Sequence, residues 1–273
     1  MKYLIPFDFT SITENALTQA IQFAAHDGGE IYIVHIVDEA EEVYVKEVQL
    51  KEYLKTLSHP ENVSISSHVS VGTVLTDIGK IADYHDADLV IMGTHGVDIM
   101  QKLFGSKAVK VIKNSSVPFI ILQECSGLTD LKKIVMPISI ERKSIQVLKY
   151  AAKFSKLFNA EIHLVGRIHE DSFLKRKENT NVILINDFLV DNKIKHHFEI
   201  VNVSKSEFMD FILSYSEKIG ANLIATTYFS DAMMPVFEKF VQNLILNPKN
   251  IPVLCVNAKS LTKADATLSL MTS

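Results

Sequence analysis

Cysteine is nearly absent from this chain, which contains only Cys125 and Cys255 in 273 residues. Two cysteines exclude a disulfide framework and a cysteine-rich zinc module. Long hydrophobic runs are also missing, since the longest extend over about six to eight residues, too few to cross a bilayer. The opening residues do not have the pattern of a signal peptide. We therefore expect a cytoplasmic protein with no membrane partner.

An excess of positive charge is missing as well. The net charge is −4, which argues against a nucleic-acid partner, because proteins usually meet such polyanions with a basic surface. The histidines are not spaced as metal ligands, since the adjacent His196 and His197 point to opposite faces of an alternating strand. There is no HExxH, no Walker Gly-Lys-[Ser/Thr] and no nucleophile elbow. The sequence therefore predicts no catalytic residue and no metal ligand.

Three segments of the first half recur in the second half in the same order. Residues 1–8, 87–93 and 117–122 match residues 131–139, 221–227 and 251–256. The offset is 131 residues for the first pair and 134 for the other two, a register that two unrelated domains would not keep. The sequence therefore predicts a tandem duplication, with domains at 1–124 and 131–257 and a partly disordered tail at 258–273.

Each half alternates short apolar runs with segments of helical periodicity, the pattern of βαβ units around a parallel sheet. We expect an α/β fold of two tandem doubly wound domains, each a five-stranded parallel sheet in the order 3-2-1-4-5 with helices on both faces. Strands are expected near 3–7, 31–36, 63–69, 88–93 and 118–122, and near 133–137, 161–165, 196–202, 221–226 and 252–256. Capping boxes of Ser11 with Glu14 and of Ser204 with Glu207 predict two helix starts.

Glycine is scarce, at ten residues, and it is unevenly placed. Gly93, Gly96 and Gly105 lie in one segment that follows a predicted buried strand and runs into a helix. Glycine lets the backbone approach a ligand closely, and free amides at a helix start favour an anion such as phosphate. The alternative interpretation is a tight turn followed by a helix cap.

The segments IMGTHG (91–96), GS (105–106) and VPFIIL (117–122), with the opening residues 4–10, resemble the universal stress protein family. The resemblance covers the whole chain as a tandem form. In the first half it rests on these motifs, and in the second half it rests on the general framework alone. The ATP-binding branch of that family is similar in carrying G-x2-G-x9-G-[S/T], whereas this chain has G-x2-G-x8-G-S, one residue shorter. The resemblance implies an adenine nucleotide, and the shorter spacing leaves open whether it is ATP, ADP or AMP, or whether no ligand binds.

The resemblance also assigns nine residues of the first half to a nucleotide site. Those expected to contact the adenosine are Pro6, Asp8, Ile36, Met92 and Gly93. Those expected to hold the phosphates, with Mg²⁺ as an optional bridge between phosphate oxygens, are Gly96, Gly105, Ser106 and Lys107. For Asp8 the alternative is a helix cap beside Ser11, and for Ser106 it is the cap of its own helix.

The second half departs from the motif at each ligand position. The residues that stand there are Ser139, Thr227, Ser230, Lys239 and Phe240. Because a threonine and a phenylalanine remove room for phosphate contact, we expect this half to be degenerate for nucleotide binding and to have a structural role. The resemblance implies that the halves form an internal pseudo-dimer, with residues 119–122 against 253–256, and it leaves a homodimer open.

Three functions follow in order of preference. The first is an adenine-nucleotide-binding regulatory protein of the stress response, with one competent site in the first half. The second is a scaffold for dimerisation and partner docking that binds no nucleotide. The third is a slow ATPase, although no residue has the character of an efficient general base.

Overall fold

The computed structural model describes residues 1–94, 104–123, 127–128, 130–229 and 235–258, without the side chains of 104–107 and 235–237. Gly96, Ser230, Cys125 and all but the first residue of the expected tail lie outside these ranges. In the described residues, no helix is both long enough and apolar enough to cross a membrane.

The described part of the first half alternates strands and helices as the sequence predicts. Its elements are β1 (Lys2–Pro6), α1 (Ser11–Ala24), β2 (Glu30–Val37), α2 (Val43–Thr56), β3 (Ser64–Val71), α3 (Val74–Tyr84), β4 (Leu89–Gly93), α4 (Phe104–Lys113) and β5 (Phe119–Leu122). Every strand lies within about two residues of its expected position at each end.

The second half repeats this order. Its elements are β6 (Lys133–Pro137), α5 (Gln146–Phe158), β7 (Glu161–Arg167), α6 (Ser172–Asp191), β8 (His196–Val201), α7 (Phe208–Ile219), β9 (Leu223–Tyr228), α8 (Pro235–Ile245) and β10 (Val253–Asn257). Short 3₁₀ turns at Ala40–Glu42 and Arg142–Ile145 precede α2 and α5.

All ten strands belong to one sheet in the order β3-β2-β1-β4-β5-β10-β9-β6-β7-β8. Each half therefore has the predicted order 3-2-1-4-5, and its own strands are parallel. The halves join through β5 and β10, which pair antiparallel with Leu254 opposite Ile120. The expected contact between residues 119–122 and 253–256 is thus present, and it joins two five-stranded sheets into one.

Helices cover both faces of the sheet, with α1, α2, α5 and α6 on one face and α3, α4, α7 and α8 on the other. Alternate strand residues supply the two cores: Tyr3 and Ile5 of β1 pack on the first face, and Leu4 packs on the second. This alternation is the period-two geometry of a strand. Because both faces are covered, the central strands are apolar along most of their length.

Side chains also join the halves on either side of the β5–β10 pair. On one face, the ring of Phe23 in α1 meets those of Phe154 and Phe158 in α5 at centroid distances of 5.1 and 4.5 Å. On the other face, α4 packs against α8. The two halves therefore share a continuous hydrophobic core.

One of the two predicted capping boxes is present. Ser204 Oγ accepts from the Glu207 amide at 3.3 Å, and Glu207 Oε2 accepts from the Ser204 amide at 3.0 Å. The box predicted at Ser11 is wrong, because Thr10 is the N-cap of α1 and its side chain makes no capping bond. The hydroxyl of Thr10 instead donates to Asp8.

Candidate functional site

A pocket opens at the carboxyl ends of β1, β2 and β4. Strand β1 lies between β2 and β4. Helix α1, which follows β1, lies on one face of the sheet, whereas α3, which precedes β4, lies on the other face. In a doubly wound sheet, this change of side leaves a crevice in which ligands bind. The pocket has a volume of about 200 Å³. Its walls are Pro6, Phe7, Asp8, Thr10, Ile12, Thr13, Val34, Ile36, Val74, Leu75, Ile78, Met92, Gly93, Thr94 and Ala108.

The structure brings the five residues expected to contact the adenosine to this one pocket, which Pro6, Asp8, Ile36, Met92 and Gly93 all line. Of the four expected to hold the phosphates, Gly96 lies outside the described residues. Gly105, Ser106 and Lys107 lie in the first turn of α4. Ala108 follows them directly and lines the pocket, so the start of α4 is next to the wall.

Asp8 is held at the start of α1 by two threonines. Its Oδ1 accepts from the Thr10 amide at 3.1 Å, from Thr10 Oγ1 at 2.5 Å and from Thr13 Oγ1 at 2.8 Å. The bond from the amide two residues ahead is an Asx turn. These bonds all use Oδ1, and Oδ2 has no hydrogen-bond donor among the residues that the structure describes. Asp8 therefore organises the turn and retains one carboxylate oxygen for a ligand.

The surroundings of Asp8 keep it ionised. Partial burial alone would raise the pKa of this carboxyl, but the hydrogen bonds from Thr10 and Thr13, together with His35, outweigh burial and lower its pKa below the ordinary value. The side chain is thus an acceptor at neutral pH, suited to an amine or a hydroxyl.

An aromatic cluster fixes the backbone beside Asp8. Phe9 has a φ of +63°, which is unusual for a large side chain. Its ring lies 5.1 Å from that of Phe7, 5.2 Å from that of His35 and 6.1 Å from that of Tyr53. Nδ1 of His35 is 2.7 Å from the Phe7 carbonyl oxygen, an acceptor, so this nitrogen carries the proton. The cluster holds Phe9 in its strained conformation and thereby places Asp8.

Gly93 has a packing role that the motif did not reveal. A Cβ at this position would lie 2.6 Å from Cγ2 of Ile12 and 2.8 Å from its carbonyl oxygen. Such contacts are too short for any side chain, so glycine is needed for α1 to approach the end of β4. The sequence-based interpretation, close approach of a ligand, is a separate role that remains a prediction.

Sequence reasoning missed several residues of this pocket. Thr10 and Thr13 orient Asp8, and their spacing in D-x-T-x-x-T was a usable signal. Ile12, Val74 and Leu75 line the pocket from α1 and α3. They carry no chemical signal, because apolar helix residues are common to every such fold.

The model of the universal stress protein family matches residues 1–123. The first half is thus similar to members of that family. Universal stress protein MJ0531 of Methanocaldococcus jannaschii is 27% identical over 139 residues, which cover 45% of this chain and 82% of the relative.

Two solved structures extend the comparison. A universal stress protein from Archaeoglobus fulgidus is 16% identical, with a TM-score of 0.74 over 94% of this chain and 98% of that chain. At this identity it shows the fold alone, and it does so across both halves. A universal stress protein solved in complex with cAMP is 19% identical over 45% of this chain and 97% of that chain, with a TM-score of 0.36.

Beyond the residues that match the family model, the second half has a larger pocket of about 530 Å³ at the ends of β6, β7 and β9. Ser139 and Thr227, which correspond to Asp8 and Gly93, both line it. Thr227 Oγ1 donates to the Ser144 carbonyl at 3.1 Å, so its hydroxyl is bonded to protein. Thr227 and Phe240, which were expected to remove room for phosphate contact, both stand in the wall of an open cavity. Their effect on phosphate contact stays a prediction.

Proposed function

We propose that this chain binds an adenine nucleotide in the pocket of its first half and acts as a regulatory protein of the stress response. The observation that carries the proposal is the free oxygen of the ionised Asp8 in a mostly apolar crevice, beside Ile36 and Met92. A purine offers flat faces to such walls and an exocyclic amine to the carboxylate. The ribose hydroxyls are a second possible donor to Asp8.

The volume of the pocket supports a position of the phosphates beyond the described walls. Small-molecule pockets usually hold about 300–1,000 Å³, whereas this one holds about 200 Å³. It suits the base and part of the sugar, and the phosphates would extend towards the first turn of α4. The first amides of a helix lack partners within it, and its positive end favours an anion. Asp8 is the one carboxylate among the described walls, so Mg²⁺ would be held mainly by phosphate oxygens.

The second half has the position of an internal dimer partner in this proposal. Two supports for it are the antiparallel β5–β10 pair and the packing of α1 on α5. In a two-fold dimer, the same surface of each subunit meets its copy, and equivalent elements of the two halves meet here in that way. Nucleotide binding at one half would then act on a surface that the other half completes.

A second candidate function is a docking scaffold without a nucleotide. Two residues of the motif favour the scaffold, because each has a structural role. Asp8 organises the turn before α1, and the missing side chain of Gly93 leaves room for Ile12. Each of them would be needed in a protein that binds nothing. Hydrolysis is no part of either candidate.

Isothermal titration calorimetry separates the two candidates. ATP, ADP and AMP, each with and without Mg²⁺, are titrated into the wild-type chain and into Asp8→Asn. The asparagine keeps an acceptor for the Thr10 amide but replaces a carboxylate oxygen with an NH₂ donor, which repels the amine of adenine. We expect at least one nucleotide to bind the wild type and to bind Asp8→Asn at least tenfold more weakly, a loss of about 1.4 kcal/mol.

Asp171→Asn is the matched control. Asp171 Oδ1 also holds a helix start, accepting from the Phe173 and Leu174 amides, but it lies in the second half and lines neither pocket. The affinity of the Asp171→Asn variant for nucleotide should equal that of the wild type. If no nucleotide binds the wild type at millimolar concentration, the scaffold is the better account.

A further inference from the structure

The pocket of the second half differs in electrostatics from that of the first. Arg167, Lys205 and Lys239 line it, and its described walls contain no Asp or Glu. The single charged side chain in the described walls of the first pocket is Asp8. The corresponding pockets of the two halves thus present opposite charge to a ligand.

The three cations of the second pocket form no close ion pair with the described residues around them. Within the described part of the chain, no carboxylate oxygen forms an ion pair, at 4.0 Å or less, with Arg167, Lys205 or Lys239. Lys205 and Lys239 are exposed, whereas Arg167 is half-buried at the end of β7. Burial raises the pKa of Glu178, and the amide and the charge of Arg167 oppose that rise, so Arg167 has this carboxyl group nearby. An anion in the cavity would be the first ion-pair partner within 4.0 Å of these three cations.

Arg167 is held in place by a buried pair of side chains. Its Nη2 donates to Nδ1 of His169 at 3.3 Å, and Nε2 of His169 lies 3.6 Å from Oε2 of Glu178. The side chains of His169 and Glu178 are only 9% and 7% exposed. Burial first, and then the charge of Arg167, lowers the pKa of His169. A neutral ring accepts at Nδ1 and so orients the guanidinium.

The remaining walls of this pocket are mostly apolar. Large side chains come from three helices and two loops; they are Ile138, Leu174, Phe208, Met209, Phe229 and Phe240. The volume of about 530 Å³ falls in the ordinary range for small-molecule sites, about 300–1,000 Å³. The cavity therefore combines an apolar chamber with a cationic rim and the start of α7.

We propose that this pocket binds a small organic anion, in which an apolar body lies on the phenylalanines and a phosphate or carboxylate group meets Arg167. A guanidinium holds either group through two parallel hydrogen bonds. Ser139 replaces the carboxylate of Asp8, so an adenine amine would have no charged acceptor here. The second half is then a separate ligand site, and its ligand is not the nucleotide of the first half.

A naphthalene probe tests this, because the chain contains no tryptophan and naphthyl emission has no indole background. The binding of 1-naphthyl phosphate, 1-naphthoate and the neutral 1-naphthol is measured by fluorescence anisotropy with the full chain. We expect at least one anion to bind tenfold more tightly than 1-naphthol. Which anion binds more tightly distinguishes phosphate from carboxylate. Equal binding of all three probes, or no anion bound at 1 mM, overturns the proposal.

Variants then locate the probe. Arg167→Gln should weaken the binding of the tighter-binding anion about tenfold and leave the binding of 1-naphthol unchanged. The double variant Lys205→Gln/Lys239→Gln changes exposed residues only, so it should weaken the binding of that anion without a risk to folding. Lys153→Gln, on an exposed face of α5 outside the pocket, is the charge-matched control and should bind as the wild type does.

Asp8→Asn separates this proposal from the nucleotide site. Anion binding that survives in Asp8→Asn supports a second site, even if no nucleotide binds the first. Loss of anion binding in Asp8→Asn, or an equal loss in Lys153→Gln, overturns the proposal.

Discussion

Asp8 connects protein stability to pH at the scale of a single residue. Its carboxylate holds Thr10 and Thr13 at the start of α1, and its pKa in the folded chain is lower than in a model peptide. Because the folded pKa lies below the unfolded value of about 3.9, the ionised group stabilises the fold above that pH. This stabilisation decreases as the pH falls through the folded pKa.

Urea unfolding between pH 6 and pH 3 should therefore show a steeper loss of stability in the wild type than in Asp8→Asn. The difference between the two curves should be largest near neutral pH and should shrink below pH 4. Since Asp8 is exposed overall, solvent screens its interactions and the effect should be modest. Parallel curves would show that Asp8 is not linked to stability in this way.

Pro6, Ile36 and Met92 were assigned to the site by the resemblance to the family. The fold class explains why they meet, because parallel strands end at one edge of the sheet. The role of Gly93 towards Ile12 and the strained φ of Phe9 depend on long-range packing. A motif records that a glycine is required, but not which neighbour requires it.

At the scale of helices and strands, each half caps a helix of the other half. Gln123, which follows β5, donates through Nε2 to the Ile245 and Asn247 carbonyls at 3.0 and 2.8 Å, at the end of α8. Asn257, at the end of β10, donates through Nδ2 to the Ile112 and Lys113 carbonyls, each at 3.1 Å, at the end of α4. The last carbonyls of a helix lack partners within it, and here the other half supplies them.

Replacing either amide by alanine should destabilise the chain by about 2–3 kcal/mol, because buried carbonyls would lose their donors. Gln123 and Asn257 are 2% and 3% exposed, so water cannot easily replace them. Urea unfolding followed by circular dichroism should show a lower midpoint and a broader transition, since the lost bonds connect the halves.

Asn192→Ala is the control for these two variants. Asn192 Nδ2 caps the Phe188 carbonyl of its own helix at 2.9 Å, so its loss should lower the midpoint without broadening the transition. Equal broadening in all three variants would show that the bonds between the halves have no special part in cooperativity.

For the whole molecule, the repeat predicted more than the individual elements did. The offsets of 131 and 134 residues indicated a duplication, and the resemblance to the family then implied that residues 119–122 lie against residues 253–256. The reciprocal caps were beyond prediction, although Gln123 and Asn257 are separated by the same 134 residues as two of the matched segments. A glutamine and an asparagine give no local sign of a partner in the other half.

The open second pocket was also missed, because its volume depends on how α7 and α8 lie on the sheet and not on the size of Thr227 or Phe240.

The continuous sheet makes a prediction about local stability. Strands β5 and β10 lie at its centre and are buried at every residue, whereas every residue of the outermost strands β3 and β8 except Val69 is exposed or half-buried. Amide hydrogen exchange is slowest where opening requires global unfolding. If the two halves unfold as one unit, the amides between β5 and β10 should exchange as slowly as those of β1 and β6. The amides of β3 and β8 should exchange first. Faster exchange between β5 and β10 than within each half would mean that the halves separate before either unfolds.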